Sequence, residues 1–191
     1  MSGSWSTRAN ALTLLRLALA PALACALLAG ESLLAVGIFG VAVFTDLADG
    51  WVARRFDEAS PLGGLFDHAV DATFVTCGSA ALAWQGLLPA PLPALIAIAF
   101  LHYALGTRSS ANPGLRGSAL GRWNGIAYYV AVGIPVIRDA LALSWPGSGP
   151  VRAFGWLLVL STLASIGDRL CTGLQIRRAN RATVSDSEGR I

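Results

Sequence analysis

Long apolar runs dominate this sequence and constrain its fold more than any other feature. Crossing the hydrocarbon core of a bilayer takes about 20 mostly apolar residues in a helix. Runs of this kind, separated by polar, proline or glycine residues, predict helices over residues 12–28, 33–55, 62–84, 91–105, 126–143 and 151–170. The sequence therefore predicts an all-α integral membrane protein with six transmembrane helices. Because Arg16 interrupts the first run, we expect that run to be retained rather than cleaved as a signal peptide.

The composition supports a membrane location and limits the possible partners. Hydrophobic residues make up 54% of the chain and charged residues 13%, whereas a soluble domain carries about 25% charged residues. The formal net charge of +3 is too small to favour a nucleic-acid partner. Three cysteines are scattered singly through apolar stretches, a pattern that predicts neither disulfides nor a thiolate metal site.

The placement of arginine predicts the orientation of the helices. One set of helix ends and loops carries most of the basic residues, namely Arg8, Arg54, Arg55, Arg108, Arg116, Arg122, Arg177, Arg178 and Arg181. The opposite set has little beyond Glu31, Arg138 and Arg152. The positive-inside rule places the first set, with both termini, in the cytoplasm. We therefore expect a multi-pass protein of the cytoplasmic (inner) membrane, with a membrane domain over 1–178 and a polar, disordered cytoplasmic tail over 179–191.

Aspartates gather at the expected cytoplasmic ends of the second and third helices. They are Asp46, Asp49, Asp67 and Asp71. Residues three or four apart share one face of an α-helix, so each pair lines one face, the first with Gly50 and Ala53 and the second with Gly63. The short link over residues 55–62 makes the two helices antiparallel neighbours, so the two pairs can meet across one groove. Uncompensated carboxylates near a membrane repel one another and are costly to desolvate, which predicts a positive partner among them.

A divalent cation is the partner that these ligands suit best. Carboxylate oxygens favour hard ions, here Mg²⁺ or Mn²⁺, and two ions can share four aspartates. His68 adjoins Asp67 but is offset by about 100° around the helix, so we expect no help from it. Small residues on the carboxylate faces leave room for a bulky ligand, and Arg54 at the membrane edge can pair with phosphate oxygens. The pattern indicates phosphoryl chemistry on a lipid-linked substrate.

The same residues resemble the signature of the CDP-alcohol phosphotransferase family, and in particular its bacterial phosphatidyltransferases. The signature reads Asp-x-x-Asp-Gly-x-x-Ala-Arg, eight residues, then Gly-x-x-x-Asp-x-x-x-Asp. Its fixed positions are filled by Asp46, Asp49, Gly50, Ala53, Arg54, Gly63, Asp67 and Asp71. The resemblance implies an enzyme in which an alcohol hydroxyl attacks a metal-bound CDP-linked substrate and CMP leaves. It also implies a homodimer.

The resemblance further implies a role for each residue of the signature. Asp46, Asp49 and Asp67 would be the principal metal ligands. Asp71 would be the catalytic base that takes the proton of the hydroxyl, with or without its own contact to metal. The nucleotide-binding positions would be Gly50, Ala53, Arg54, Gly63 and, nearby in the link, Ser60.

Candidate acceptor-binding residues are Asn10, Arg16 and Arg122. Asn10, Thr13 and Arg16 recur on the first helix, either as a capping region with a snorkelling arginine or beside the active site, since an intramembrane arginine needs a partner. This start resembles that of family members that use CDP-diacylglycerol. Arg122 is either cytoplasmic loop charge or a ligand for an acceptor phosphate. The acceptor stays open: glycerol 3-phosphate, phosphatidylglycerol, an inositol phosphate or an amino alcohol.

These expectations lead to a phospholipid-forming enzyme that transfers a phosphatidyl group from CDP-diacylglycerol to a polar alcohol. One alternative is a CDP-amino-alcohol:diacylglycerol phosphotransferase. Another, from a different class, is a small ion or proton transporter that uses the aspartates as its path. The aspartates are expected at one membrane face with none near mid-membrane, which argues against transport.

Overall fold

The structure, a computed structural model, describes residues 8–55, 61–108 and 119–188. Within these ranges, side chains are described for residues 11–48, 55, 63–104, 120–168 and 170–172. The helices are α1 (Arg8–Leu28), α2 (Ser32–Arg55), α3 (Pro61–Trp84), α4 (Pro91–Arg108), α5 (Ala119–Ala140) and α6 (Ser148–Glu188). No strand occurs in the described ranges. The all-α prediction is confirmed there, and α2 continues through its polar end as expected.

Two helices extend beyond their predicted limits. Helix α5 begins at Ala119 rather than near residue 126, because a helix does not have to stop where its apolar run stops. Helix α6 has 41 residues and ends at Glu188, so residues 179–188 continue a helix where the composition predicts a disordered tail. Ala179, Arg181, Ala182 and Glu188 are good helix formers, and the segment continues directly from the helix before it. Residues 189–191 lie outside the described ranges, and the division of the chain at residue 178 stays a prediction.

Membrane-spanning capacity is clearest in α1 and α6. Ala11–Leu28 and Ser148–Thr172 are long and apolar enough to cross a bilayer, judged by length and composition. Shorter apolar stretches occur in α2 and α4, over Ser32–Ala48 and Pro91–Ala104. The described residues therefore contain two candidate spans, and the full set of six stays a prediction.

Two glycines end helices and reverse the chain. Gly30 follows α1 with φ of 75° and Gly86 follows α3 with φ of 74°, a left-handed conformation that glycine adopts without steric cost. After α1, the amide of Glu31 donates to the carbonyl of Ala26 at 3.0 Å and the amide of Gly30 to that of Leu27 at 3.1 Å. These two bonds form a Schellman motif, which satisfies carbonyls left open at a helix end. This motif reverses the direction of the chain between α1 and α2.

Contacts between helix ends establish the direction of the bundle. The Gln85 side chain, just after α3, donates to the carbonyl of Leu27 at the end of α1, 2.7 Å away. Arg152, near the start of α6, donates from Nε to the carbonyl of Gly86 at 3.2 Å. The ends of α1 and α3 and the start of α6 therefore lie at one end of the bundle. The aspartates, near the end of α2 and the start of α3, lie toward the other.

The core is tightly packed where α5 crosses α2 and α3. Phe74 and Val132 are completely buried. A Cβ on Gly78 would lie 2.9 Å from Val132 Cγ1, and a Cβ on Gly133 would lie 2.8 Å from Phe39 Cζ. Real Cβ atoms are essentially never found that close to other heavy atoms, so a Cβ at either position would force the neighbouring side chain to move.

We expect Gly133→Ala to lower the stability of the protein. Adding a methyl group to a closely packed core typically costs about 1–3 kcal/mol. Gly40→Ala is the matched control, because a Cβ on Gly40 meets nothing within 4 Å and alanine favours helix. Thermal unfolding in detergent will show a lower melting temperature for the first variant alone. Equal melting temperatures for both variants would mean that Phe39 moves aside freely and that the contact is not tight.

Candidate active site

Three of the four predicted carboxylates meet at one point between α1, α2 and α3. Nη1 of Arg16 lies 3.1 Å from Oδ1 of Asp46, 2.8 Å from Oδ1 of Asp67 and 2.6 Å from Oδ1 of Asp71. Asp67 and Asp71 reach the same point because they are four residues apart on α3. These three side chains come together as expected, but not because α2 packs on α3. Among the described residues α1 packs on both helices, while α2 and α3 have few contacts with each other. The expectation that α2 and α3 are packed neighbours is therefore wrong there, since a short link brings helix ends close without making the helices pack along their lengths.

Arg16 is the positive charge inside this cluster. Its side chain is 0% exposed, whereas those of Asp46, Asp67 and Asp71 are 36%, 28% and 22% exposed. Burying a guanidinium without partners is strongly unfavourable, and three carboxylates compensate it here. Of the two interpretations left open by the sequence, the structure contradicts the snorkelling arginine and places Arg16 among the aspartates.

The cluster has the geometry and charge to accept a cation. When all its groups are ionised, three carboxylates outweigh one guanidinium, so the site stays negative. Ligand atoms of Asp67, His68 and Asp71 all lie within 4.8 Å of one another. Such a set, mainly of oxygens with one imidazole nitrogen, suits Mg²⁺ or Mn²⁺. The residues present therefore fit the divalent metal that the sequence implies.

The placement of His68 corrects an expectation. Its offset around the helix predicts that it cannot help, yet its ring nitrogen comes within reach of both neighbouring aspartates. The offset describes where the Cβ atom points, and the length of the imidazole side chain overcomes it. The ring also packs edge-to-face on Tyr103 of α4, with centroids 5.7 Å apart.

Tyr129 on α5 is part of the site and was missed by sequence reasoning. Its hydroxyl donates to Oδ1 of Asp71 at 2.9 Å. Tyr128 and Tyr129 stand in an apolar run, and a tyrosine hydroxyl in such surroundings needs a hydrogen-bond partner. That need was the available signal, but it does not reveal which partner each hydroxyl finds.

Three aromatic rings pack on the side of the site that faces the interior of the bundle. Phe74, one turn beyond Asp71 on α3, stacks on Tyr129 with centroids 5.9 Å apart and planes 19° from parallel. Phe39 on α2 lies 6.2 Å from Phe74 and 6.4 Å from Tyr129. This apolar layer separates the carboxylates from the rest of the core and holds the ring of Tyr129 in place.

The remaining predicted site residues are placed only in part. Asp49, Gly50, Ala53 and Arg54 belong to α2 and Asn10 to α1, but their side chains lie outside the described ones. Ser60 lies outside the described residues altogether.

Two further predicted residues are described. Gly63 lies one turn before Asp67 on α3 and is partly buried. Arg122 is exposed on α5, two turns before Tyr129 and therefore on the same face of that helix. Arg122 thus lies nearer than Tyr129 to the start of α5, on the helix that supplies that tyrosine.

Comparison with known proteins identifies the family. Residues 6–167 match the CDP-alcohol phosphatidyltransferase family. The match covers most of the chain, so this protein belongs to that family, and the resemblance drawn from the aspartate signature is confirmed. The family consists of phosphotransferases, so the predicted class of enzyme is confirmed as well.

Three curated relatives share part of the sequence. A cardiolipin synthase (CMP-forming)/mitochondrial hydrolase fusion protein of Schizosaccharomyces pombe is 36% identical over 106 residues, which are 51% of this chain and 18% of the relative. The cardiolipin synthases (CMP-forming) of Rattus norvegicus and Homo sapiens are 34% and 33% identical over 88 residues, 46% of this chain and 29% of each relative. The chain thus aligns with less than a third of each relative. No solved structure gives a significant match.

Proposed function

We propose that this chain is a metal-dependent phosphatidyltransferase of phospholipid biosynthesis that transfers a phosphatidyl group from CDP-diacylglycerol to a polar alcohol and releases CMP. The observation that carries this proposal is the convergence of Asp46, Asp67 and Asp71 at one point, in a chain of the CDP-alcohol phosphatidyltransferase family. Clustered carboxylates beside a basic helix end suit a pyrophosphate held through divalent metal.

The metal site would be formed by four aspartates, with two ions of Mg²⁺ or Mn²⁺. Asp46, Asp49 and Asp67 are the proposed principal ligands. Asp71 belongs to the same cluster and is proposed as the base, with or without its own contact to metal. Bound divalent metal supplies positive charge that neutralises the pyrophosphate and the departing CMP. Nucleotide binding is proposed for Gly50, Ala53, Arg54, Ser60 and Gly63.

Asp71 is the proposed base for the transfer. The hydroxyl oxygen of the acceptor forms a bond to the phosphorus that carries the diacylglycerol. The bond from that phosphorus to the bridging pyrophosphate oxygen breaks, and CMP leaves with this oxygen. The proton of the acceptor passes to the carboxylate of Asp71. General base catalysis of this kind typically contributes about 10²–10⁴-fold in rate.

Arg16 supports the proposal as the resident counter-charge of the cluster. A guanidinium bound to three carboxylates holds them together before substrate arrives, and it is also a suitable partner for phosphate oxygens. The sequence assigned Arg16 to acceptor binding; because it contacts all three carboxylates, we propose instead that it acts where the pyrophosphate binds. Asn10 and Arg122 keep their proposed roles in binding the acceptor.

Phosphatidylglycerol is the acceptor that we favour. Three relatives are named cardiolipin synthase (CMP-forming), and a lipid with two phosphatidyl groups on one glycerol forms when phosphatidylglycerol accepts the second group. In addition, many large apolar side chains of the described helices are exposed, which suits a bilayer location in which two lipid substrates reach the site from the membrane. The other acceptors left open by the sequence form the comparison set for the experiment below.

The membrane arrangement completes the proposal. Six transmembrane helices with both termini in the cytoplasm place the carboxylates at the cytoplasmic face of the inner membrane, consistent with the arginine-bearing helix ends. A homodimer is proposed from the family resemblance. Cysteine labelling of the helix ends in intact cells and in inverted vesicles tests the orientation directly.

An acceptor panel tests the function. Purified protein in mixed micelles receives CDP-diacylglycerol, Mg²⁺ or Mn²⁺, and in turn phosphatidylglycerol, glycerol 3-phosphate, an inositol phosphate or an amino alcohol. We expect metal-dependent CMP release, with cardiolipin as the lipid product detected by mass spectrometry. A product with glycerol 3-phosphate alone would support the proposed phosphatidyl transfer but show that the acceptor is glycerol 3-phosphate and not phosphatidylglycerol. No CMP release with any acceptor would contradict the proposal and favour a soluble CDP-alcohol donor or a transporter.

A further inference from the structure

Two neighbouring tyrosines on α5 find different partners. The hydroxyl of Tyr129 donates to Oδ1 of Asp71 on α3 at 2.9 Å. The hydroxyl of Tyr128 shares a hydrogen bond of 2.6 Å with the hydroxyl of Thr162 on α6. Adjacent helical residues point about 100° apart, so one tyrosine faces the carboxylate cluster and the other faces the packing between α5 and α6.

The ring of Tyr129 is held by contacts with two other aromatic rings. Phe74, which is 0% exposed, stacks on it, and Phe39 lies against both rings. One turn further along α5, Gly133 lets Phe39 come close enough that a Cβ there would clash with its ring. A ring packed on two sides cannot swing away, so the position of its hydroxyl is set by the core.

We propose that Tyr129 is a positioning residue that orients the carboxylate of Asp71 for transfer of the acceptor proton. This inference rests on the proposed function, because it assigns a task to the base of that reaction. Tyr129 itself does not touch the reacting atoms. It acts through the hydrogen bond to Asp71, and this bond ties the base on α3 to a rigid point on α5.

The need for such a residue follows from the torsion of an aspartate side chain. The last torsion of aspartate is broad, so its carboxylate plane rotates easily unless it is held. Here Oδ1 of Asp71 accepts from Tyr129 at 2.9 Å and from Nη1 of Arg16 at 2.6 Å. With Oδ1 held from two helices, Oδ2 becomes the oxygen that receives the proton. Catalysis requires this alignment, since a small misplacement of a reacting group can lower the rate by about 100-fold.

Arg16 alone would not set this orientation. Its Nη1 is shared with Asp46 and Asp67, so it attracts all three carboxylates toward one point and does not select the rotation of any one of them. The arginine is also the group expected to respond when a phosphate or a cation enters the cluster. The Tyr129 hydroxyl is held by the aromatic core, so a ligand that changes the contacts of Arg16 does not move it. It therefore keeps the carboxylate plane of Asp71 in one orientation.

Tyr129→Phe tests the proposal, with Tyr128→Phe as its matched control. Each variant removes one hydroxyl from neighbouring residues and keeps the ring. Each also leaves the former partner with another bond, since Asp71 still accepts from Arg16 and Thr162 still donates to the carbonyl of Leu158 at 2.7 Å. The measurements are kcat, the KM for CDP-diacylglycerol, the KM for the best acceptor of the panel, and thermal unfolding of the same preparations.

The expected result is a loss confined to kcat in one variant. Tyr129→Phe should lower kcat about 10- to 100-fold with both KM values within about 2-fold of wild type. Tyr128→Phe should leave kcat within about 2-fold, and the two variants should melt at similar temperatures. A purely structural role would lower kcat and melting temperature together.

Three outcomes would overturn the inference in distinguishable ways. If the wild type is active and Tyr129→Phe has an unchanged kcat, Tyr129 does not position the base. The proposed function would still stand. An equal loss of kcat in both variants, tracking their stability, would make the hydroxyl of Tyr129 part of general packing. A wild-type protein that releases no CMP with any acceptor would overturn the proposed function and this role with it.

Discussion

Asp71→Asn will abolish most of the CMP release, lowering kcat by about 10²–10⁴-fold. Asparagine has the shape of aspartate but cannot accept a proton under these conditions, so the acceptor hydroxyl loses its base. The substitution also keeps an oxygen that can accept from Tyr129 and Arg16, which lie 2.9 Å and 2.6 Å from Oδ1. The loss should therefore be in the chemical step, with smaller changes in the KM for CDP-diacylglycerol.

A second carboxylate serves as the control for this experiment. Asp139 lies near the opposite end of the bundle and accepts from Nε of Arg138 at 2.6 Å. Asp139→Asn removes a negative charge of the same kind, far from the cluster, and should leave kcat near the wild-type value. If Asp71→Asn still releases CMP at the wild-type rate, Asp71 is not the base.

Metal-dependent melting of Asp71→Asn separates the two roles that the sequence leaves open. If Asp71 acts as base alone, Mg²⁺ or Mn²⁺ should raise the melting temperature of the variant as much as that of wild type. If Asp71 also binds metal, the shift should shrink, since a ligand that binds the folded protein more weakly stabilises it less at the same concentration. In either case the loss of kcat is expected.

Arg16→Met should destabilise the metal-free protein, by less than the roughly 3–5 kcal/mol typical of removing one partner from a fully buried ion pair, because the carboxylates left behind are 22–36% exposed. Methionine replaces much of the apolar stem but none of the charge. Asp46, Asp67 and Asp71, whose oxygens lie within 3.1 Å of the Arg16 nitrogen, would then repel one another with no resident cation. Thermal unfolding in the presence of a chelator measures this loss.

Divalent metal should restore part of the lost stability. A cation among the carboxylates relieves the same repulsion that Arg16 relieves, so Mg²⁺ or Mn²⁺ should raise the melting temperature of Arg16→Met more than that of wild type. Catalysis is not expected to recover, because the pyrophosphate side of the site also loses its guanidinium.

Arg138→Met is the matched control for Arg16→Met. Arg138 pairs with its neighbour Asp139, whose side chain is 40% exposed, and partly exposed pairs contribute little, about 0–1 kcal/mol. We expect a small change in melting temperature that metal does not affect. If metal-free Arg16→Met melts like wild type, the carboxylates do not depend on a resident counter-charge and this interpretation of Arg16 is wrong.

The spacing of residues along single helices made much of the site predictable. Asp67 and Asp71 share a face because they are one turn apart, and the polar end of α2 follows from the position of Asp46 just beyond an apolar run. The spacing was misleading where the length of a side chain mattered more, as at His68, whose ring nitrogen comes within reach of Asp67 and Asp71.

The four aspartates, their division between two consecutive helices and the family of the signature follow from the sequence alone. The burial of Arg16 among these carboxylates, and the hydrogen bond to Asp71 from Tyr129 rather than Tyr128, are visible in the folded protein alone. Periodicity fixes which residues share a face within one helix. Which face meets which neighbour depends on the rotation and register of helices packed through a common core, and here Phe39, Phe74 and Gly133 set that register.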